Sequence, residues 1–326
     1  MNLLKRAFLF GLAASCSAGL CPNPFDPVGI SARAEDAASI IWPSPSRRVE
    51  ISRPFGGSEI VIGASSRTAG AIDSLVWNGR QFVNAYDHGR ELQSAASFDG
   101  YGECFNPTEA GSVDDFVGET SSSLLLNLRA GPNWIETKTE MAFWFGPQRA
   151  ARDCPTKPAR YDATRAGYTL DKRVAIGAAG IANAISHRVT FGVPQPFGVG
   201  TFEVVTGYMP PDFSRFWTFD PATNQLSPLT DGPGEQELPV ILSTPDGAHA
   251  MGVYSPGLPQ TDFPGAGYGR FRFAHLRKPG NATVKWNCVF RRKNGQAGDH
   301  TFTCFTVVGS LEDAQRGLRA LHRLRP

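Results

Sequence analysis

The sequence predicts an all-β protein: a large antiparallel β-sandwich with a short C-terminal helix. Three observations carry that expectation. Only 19% of the 326 residues are charged, while Gly (35) and Pro (25) are plentiful, a mix that suits many short strands and turns rather than a helical bundle. Runs rich in β-branched and aromatic residues recur along most of the chain, separated by Gly- and Pro-bearing segments. A helical period occurs at the very end. The length suits one large all-β domain, taken as residues 49–326, and no repeat of fixed period divides it.

The first 34 residues read as an export signal. Lys5 and Arg6 precede an apolar run over residues 7–20, which is short for a membrane span, and Ala32 and Ala34 supply small residues for cleavage. Ala18 offers an earlier cut, and lipidation at Cys16 is left open, with Ala13 standing where Leu is preferred. Removing this segment balances the remaining basic and acidic residues, so long-range electrostatic steering should be weak. No membrane segment is expected after cleavage. Residues 35–48, rich in Ala, Ser and Pro, form a leader.

Strands are then expected at residues 59–62 and 70–77, with Asn78 and Gly79 as a tight hairpin turn and a return over 81–84. Further strands are read at 123–128, 137–145, 168–176, 185–191, 200–205, 248–254, 268–273 and 284–291. Residues 146–166, with Pro147, Pro155 and Pro158, read as a surface excursion. The run Met141, Ala142, Phe143, Trp144 and Phe145 is too apolar for an ordinary exposed strand and should face a core or a sugar platform. Residues 310–325 read as the helix. Ser310 and Asp313 have capping-box spacing, Leu311, Leu318 and Leu321 share a face, and Arg319, Arg323 and Arg325 suit the C-terminal end of the helix dipole.

Cys104, Cys154, Cys288 and Cys304 remain after the export signal, an even set that favours two disulfides. Cys288 and Cys304 lie in the flanking strands of an apparent hairpin and form the natural pair, leaving Cys104 to Cys154. No two cysteines have close metal-ligand spacing.

The chain's chemistry is concentrated at residues 86–111, read as a loop between apolar strands. Asp87, His88, Arg90, Glu91, Glu103 and Glu109 crowd it, with Gly and Pro between them and Tyr86, Phe98, Tyr101 and Phe105 interleaved. Aromatic faces beside carboxylates and a guanidinium suit a hydroxyl-rich ring. Asp87, His88, Glu103 and Glu109 are the catalytic candidates, because sugar chemistry needs paired acid and base groups. Arg90, Gln93, Tyr101, Asn106 and Tyr208 are the substrate-binding candidates. Alternation puts His187 among apolar side chains, as a satisfied core histidine. Asn281 opens a glycosylation sequon that matters only in a eukaryotic secretory pathway.

A strand with Gly70, Ala71, Ile72, Ser74 and Leu75, followed by Asn78, Gly79 and a returning strand, resembles the start of galactose-mutarotase-like β-supersandwich domains. The segments at 87–93 (DHGRELQ) and 106–111 (NPTEAG) resemble exported bacterial carbohydrate-active relatives of that superfamily, with weaker echoes at 185–191, 206–210 and 305–309. The resemblance implies two facing antiparallel sheets with a sugar site on a concave face. It also implies an activity among mutarotation, sugar-phosphate epimerisation and polysaccharide lysis. His88 and His187 do not sit in the surroundings of the mutarotase histidine pair, which argues against a housekeeping mutarotase.

These observations point to an exported, periplasmic or secreted, carbohydrate-active protein acting on an oligo- or polysaccharide as a glycoside hydrolase or polysaccharide lyase. A non-catalytic carbohydrate-binding module and an aldose epimerase are the alternatives. No charge block or basic stripe marks a nucleic-acid surface. No P-loop, dinucleotide fingerprint, H-E-x-x-H run, EF-hand loop or nucleophile elbow is present, so no cofactor or metal is expected. Oligomeric state is left open.

Overall fold

A computed structural model describes residues 30–31, 38–40, 48–154, 162–273 and 282–325. Most of the export signal and leader, residues 155–161 of the surface excursion, and the Asn281 sequon lie outside them. Period-two alternation sets the strands. In Arg165–Ile176, residues Tyr168, Leu170, Lys172, Val174 and Ile176 point inward, while Asp171 and Arg173 are exposed. Asn78 and Gly79 both take the left-handed conformation (φ 49° and 71°), which a two-residue hairpin turn requires.

The strands form two antiparallel layers. One runs Arg48–Phe55, Ser58–Ser65, Ile72–Trp77, Leu92–Phe98, Phe197–Met209, Thr283–Gly295, Tyr268–Phe273 and Gly234–Gln236. The other runs Leu124–Ala130, Trp134–Phe143, Arg165–Ile176, Ala184–Val193, Gly298–Gly309, Ala250–Tyr254, Val240–Ser243, Arg215–Asp220 and Gln225–Pro228. In front of residue 48, Ile30–Ser31 pairs in parallel with the first layer and Ala38–Ile40 adds an edge to the second. The large antiparallel sandwich expected from the sequence is therefore what the described residues form.

Between the layers lies an aromatic core. Phe98 meets Phe105, Tyr168, Phe197 and Phe202 at ring separations of 5.1–5.8 Å. Each such ring removed from water contributes about 1.5–3 kcal/mol. The C-terminal helix, Leu311–Leu324, buries Ala314, Gly317, Leu318 and Leu321 against the second layer, and Ser310 and Asp313 close a reciprocal capping box.

Two expectations need correction. Residues 86–111 are not one loop: Leu92–Phe98 is a strand paired with Phe197–Met209, and Pro107–Thr108 pairs with both layers and stitches them together. Ser94, Ala95 and Ala96 are small enough to be buried with almost no apolar bulk, which hid the strand among polar neighbours. The disulfide Cys288–Cys304 forms, but its strands are not hydrogen-bonded as a hairpin. Thr283–Gly295 belongs to the first layer and Gly298–Gly309 to the second, so the bridge joins layer to layer. Cys104–Cys154 also forms, across a separation of 50 residues.

Candidate functional site

A cavity of about 420 Å³ opens where the 86–91 turn meets the end of the Phe197–Met209 strand. Asp87, Arg90, Glu103, Trp144, Tyr208 and Phe273 are among its lining residues, with Phe145, Arg149 and Asp153 on a further wall. A hollow of about 470 Å³ at Asp99, Gln195, Phe197 and Asn294 holds one charged group and one aromatic ring, and so offers little to catalysis.

Local chemistry builds each wall. The Asp87 carboxylate accepts from the Gly89 N–H and, at 2.7 Å, from Arg90 Nη2, so the turn is closed by its own ion pair. The Arg90 guanidinium, 4% exposed, also lies 5.0 Å from the Tyr86 ring centre. Gly89 is required by contact: a Cβ there would lie 2.5 Å from Trp144 Cη2. Trp144 is pinned through its backbone, its N–H donating to Asn106 O and its carbonyl accepting from Val113 N. Arg149 on the short helix Pro147–Asp153 pairs with Asp114 and Asp153 and stacks over Phe145. The Cys104–Cys154 bridge ties the Gly102–Phe105 turn, which carries Glu103, to the end of that helix, so it fastens two walls of one cavity.

Tyr208 enters from the strand side. Its ring stacks on Phe273 (6.3 Å, 22°), and Phe273 stacks on Phe271 (6.2 Å, 11°). Behind it, Lys285 Nζ lies 5.2 Å from the Tyr208 ring centre and 3.0 Å from Glu203 Oε2, which also accepts from Thr206 Oγ1 at 2.5 Å. Burial raises the Tyr208 hydroxyl above its ordinary range, the Lys285 charge opposes it, and Glu203 adds to the rise. Burial works to raise the Glu203 carboxyl too, but Lys285, Thr206 and Asn287 outweigh it and hold Glu203 below the usual carboxylate value. Lys285 is held cationic, Glu203 and Tyr208 overcoming its desolvation.

The remaining sequence candidates stand elsewhere. His88 touches the cavity but is fully buried, with Nδ1 2.9 Å from Ala110 O and Nε2 2.8 Å from Gly118 O. Both ring nitrogens face backbone carbonyls rather than the open cavity, and the ring lies between two loops. Glu109 lies between the layers, paired with Lys172 at 2.5 Å and accepting from Ser94 N–H, so the structure does not bring it together with Glu103. Gln93 is buried and accepts from Ala110 N–H. Asn106 carries a buried side-chain oxygen without a hydrogen-bond partner. Tyr101 is half-buried against Phe105 and does not line the cavity. His187 is a core histidine, bonded to Thr306 Oγ1 at 3.0 Å and pushed down to about 3, first by burial and then by the Lys172 charge. Glu91 is fully buried with neither carboxylate oxygen hydrogen-bonded, and burial pushes it well above its ordinary range.

Sequence reasoning missed Arg149, Asp153, Phe273 and Lys285. Lys285 carried a signal: alternation in the 283–289 strand puts it opposite the buried Trp286 and on the face of Asn287. Among the described residues, no group of His, Cys, Asp and Glu is arranged to hold a metal ion, and no helix is long and apolar enough to cross a membrane.

No protein-family model and no curated protein matches the chain. Among solved structures it is similar to a galactose mutarotase-like protein from Lactobacillus casei ATCC 334, with 11% identity over 79% of this chain and 99% of that one (TM-score 0.42). It is also similar to heparan sulfate lyase HepC from Pedobacter heparinus, with 10% identity over 80% of this chain and 35% of the lyase (TM-score 0.42). A third is 4-alpha-glucanotransferase from Thermococcus litoralis, with 10% identity over 79% of this chain and 37% of that enzyme (TM-score 0.42). The chain thus spans little more than a third of the length of those two enzymes. The likeness is one of strand architecture.

Proposed function

We propose that the protein is an exported carbohydrate-active enzyme that holds an oligo- or polysaccharide in the cavity at Trp144 and Tyr208 and cleaves it, as a glycoside hydrolase or a polysaccharide lyase. The observation that supports this most directly is the composition of one cavity. Flat faces of Trp144, Phe145, Tyr208 and Phe273 stand beside Asp87, Arg90, Glu103, Arg149 and Asp153. Aromatic faces cover the C–H surfaces of a sugar ring, and charged groups bond its hydroxyls. Glu103 is exposed at the rim and supplies a carboxylate for proton transfer, while the Asp87–Arg90 pair shapes the floor. The two disulfides fit the oxidising compartment that export implies.

The test is incubation of the protein with a neutral glucan, a galactan, a polyuronate and a sulfated glycosaminoglycan, read by new reducing ends and by unsaturated-uronate absorbance. Hydrolysis gives the first signal alone and elimination gives both. Binding to one of these without product would refute the enzyme reading in favour of a binding module. Absence of both binding and product would refute the sugar site. Glu103→Gln should fold normally and lose turnover, and full turnover in that variant would remove Glu103 from the chemistry.

A further inference from the structure

We propose that Tyr208 is the proton donor of this cavity, and that Lys285 and Glu203 behind it form the pair that positions its hydroxyl and sets its charge environment. The inference rests on the sugar-cleaving reading above and adds the residue that protonates the leaving group.

The backbone makes the constellation. Glu203 and Tyr208 are five apart, so in a regular strand they would face opposite sides of the layer. The register of Phe197–Met209 against Thr283–Gly295 shifts between Glu203 and Val205, and against Leu92–Phe98 between Glu203 and Thr206. That bulge inserts a residue and returns Glu203 to the face of Tyr208. Lys285 is the register partner of Tyr208 and reaches both, 3.0 Å from the Glu203 carboxylate and 5.2 Å from the Tyr208 ring centre. The Phe271 ring, 5.2 Å from the same ammonium, closes the back. Lys285 and Glu203 are only partly exposed, with 12% and 24% of their side chains open to solvent. Burying such a pair is costly unless its geometry is good, and a hydrophobic pair would hold a sheet face as well. Here it is placed directly behind the tyrosine that lines the cavity.

For hydrolysis, the step balances with water as co-reactant. As the glycosidic C–O bond breaks, its electron pair stays on the leaving oxygen, which takes the Tyr208 proton. The resulting phenolate faces the Lys285 ammonium. Water oxygen bonds to the anomeric carbon, and the proton it loses passes to the Glu103 carboxylate and returns through solvent to Tyr208. Burial and Glu203 keep the hydroxyl protonated before the step, and Lys285 stabilises the anion after it.

The experiment uses whichever polysaccharide of the four-member panel the parent protein converts. Tyr208→Phe should keep its melting temperature and its affinity for that polysaccharide and lose about 10²–10⁴-fold in kcat. Glu203→Gln leaves the Lys285 charge uncompensated, so the alkaline limb of kcat/KM should move to lower pH. Lys285→Met removes the stabilising charge, so that limb should move to higher pH. The same two opposite movements should appear without any sugar, in the ultraviolet titration difference between each protein and its Tyr208→Phe counterpart. Should a single variant fail to fold, Glu203→Gln/Lys285→Met keeps the pair neutral and should show a limb between the two. Tyr208→Phe with kcat within threefold of the parent, or limbs that do not move in opposite directions, would overturn the proposal and leave the sugar-cleaving reading standing. A parent protein that converts none of the four overturns both.

Discussion

Lys172→Met should be a costly change in the sandwich, at a residue that lies outside the cavity of Trp144 and Tyr208. The lysine occupies an inward position between Leu170 and Val174, and its side chain is 3% exposed; that of Glu109 is 0% exposed. Nζ lies 2.5 Å from Glu109 Oε1 and 2.6 Å from Oε2, the hydrogen bond being directed at Oε2. Without the ammonium, the carboxylate retains only the Ser94 N–H, at 2.9 Å. Breaking a buried pair from one side costs about 3–5 kcal/mol, because the remaining charge is uncompensated. At roughly 2 °C per kcal/mol in a domain of this size, melting should fall by about 6–10 °C.

The sign with pH follows from Glu109. Burial raises its carboxyl above the ordinary value even though Lys172 pulls it down, and removing Lys172 raises it further. A raised folded-state value gives stability that is fully present below the unfolded value and is lost as pH rises through the folded one. The deficit of Lys172→Met should therefore be larger near about pH 8 than near about pH 5. Urea unfolding followed by tryptophan fluorescence at the two pH values measures it. Glu109→Gln/Lys172→Met should recover most of the loss. A single variant within about 1 kcal/mol of the parent near about pH 8, or a double variant worse than the single, would refute the reasoning.

Three further outcomes are expected. Glu91 is fully buried with its oxygens unpartnered and its carboxyl pushed well up by burial, so parent stability should decline as pH rises through its folded value. Glu91→Gln should flatten that decline in thermal melts taken across neutral and alkaline pH. Gly89→Ala places a Cβ 2.5 Å from the Trp144 ring, which should cost about 1–3 kcal/mol in chemical denaturation and weaken sugar binding on the order of tenfold in titration calorimetry. Cys104→Ser/Cys154→Ser opens a closed loop of 50 residues worth about 4 kcal/mol in the chain-entropy model, and turnover should fall by more than the Tm shift explains, because Glu103 and Arg149 lose their common anchor.

Much of the fold was legible because alternation is a local property. Residues 168–176 and 185–191 announce strands by themselves, and Ser310 with Asp313 announces a helix start. The site was legible only in composition. Asp87, Arg90, Glu103 and Tyr208 do line one cavity, but the sequence gives no sign that Glu109 turns inward to Lys172, 63 residues away. Nor does it separate a hairpin from two layers joined by a bridge, since Cys288 and Cys304 are 16 residues apart in either case.

The bulge is the most telling case. Counting by twos along residues 203–208 puts Glu203 and Tyr208 on opposite faces, and one inserted residue reverses the answer. A strand without that bulge would turn Glu203 to the other face and leave Lys285, largely covered beside Tyr208, without its carboxylate partner. The observed pair instead fixes both charge and position behind the tyrosine. The irregularity in the ladder and the acid–base arrangement at the cavity therefore have one cause, and a substitution that straightened the strand would disturb both together.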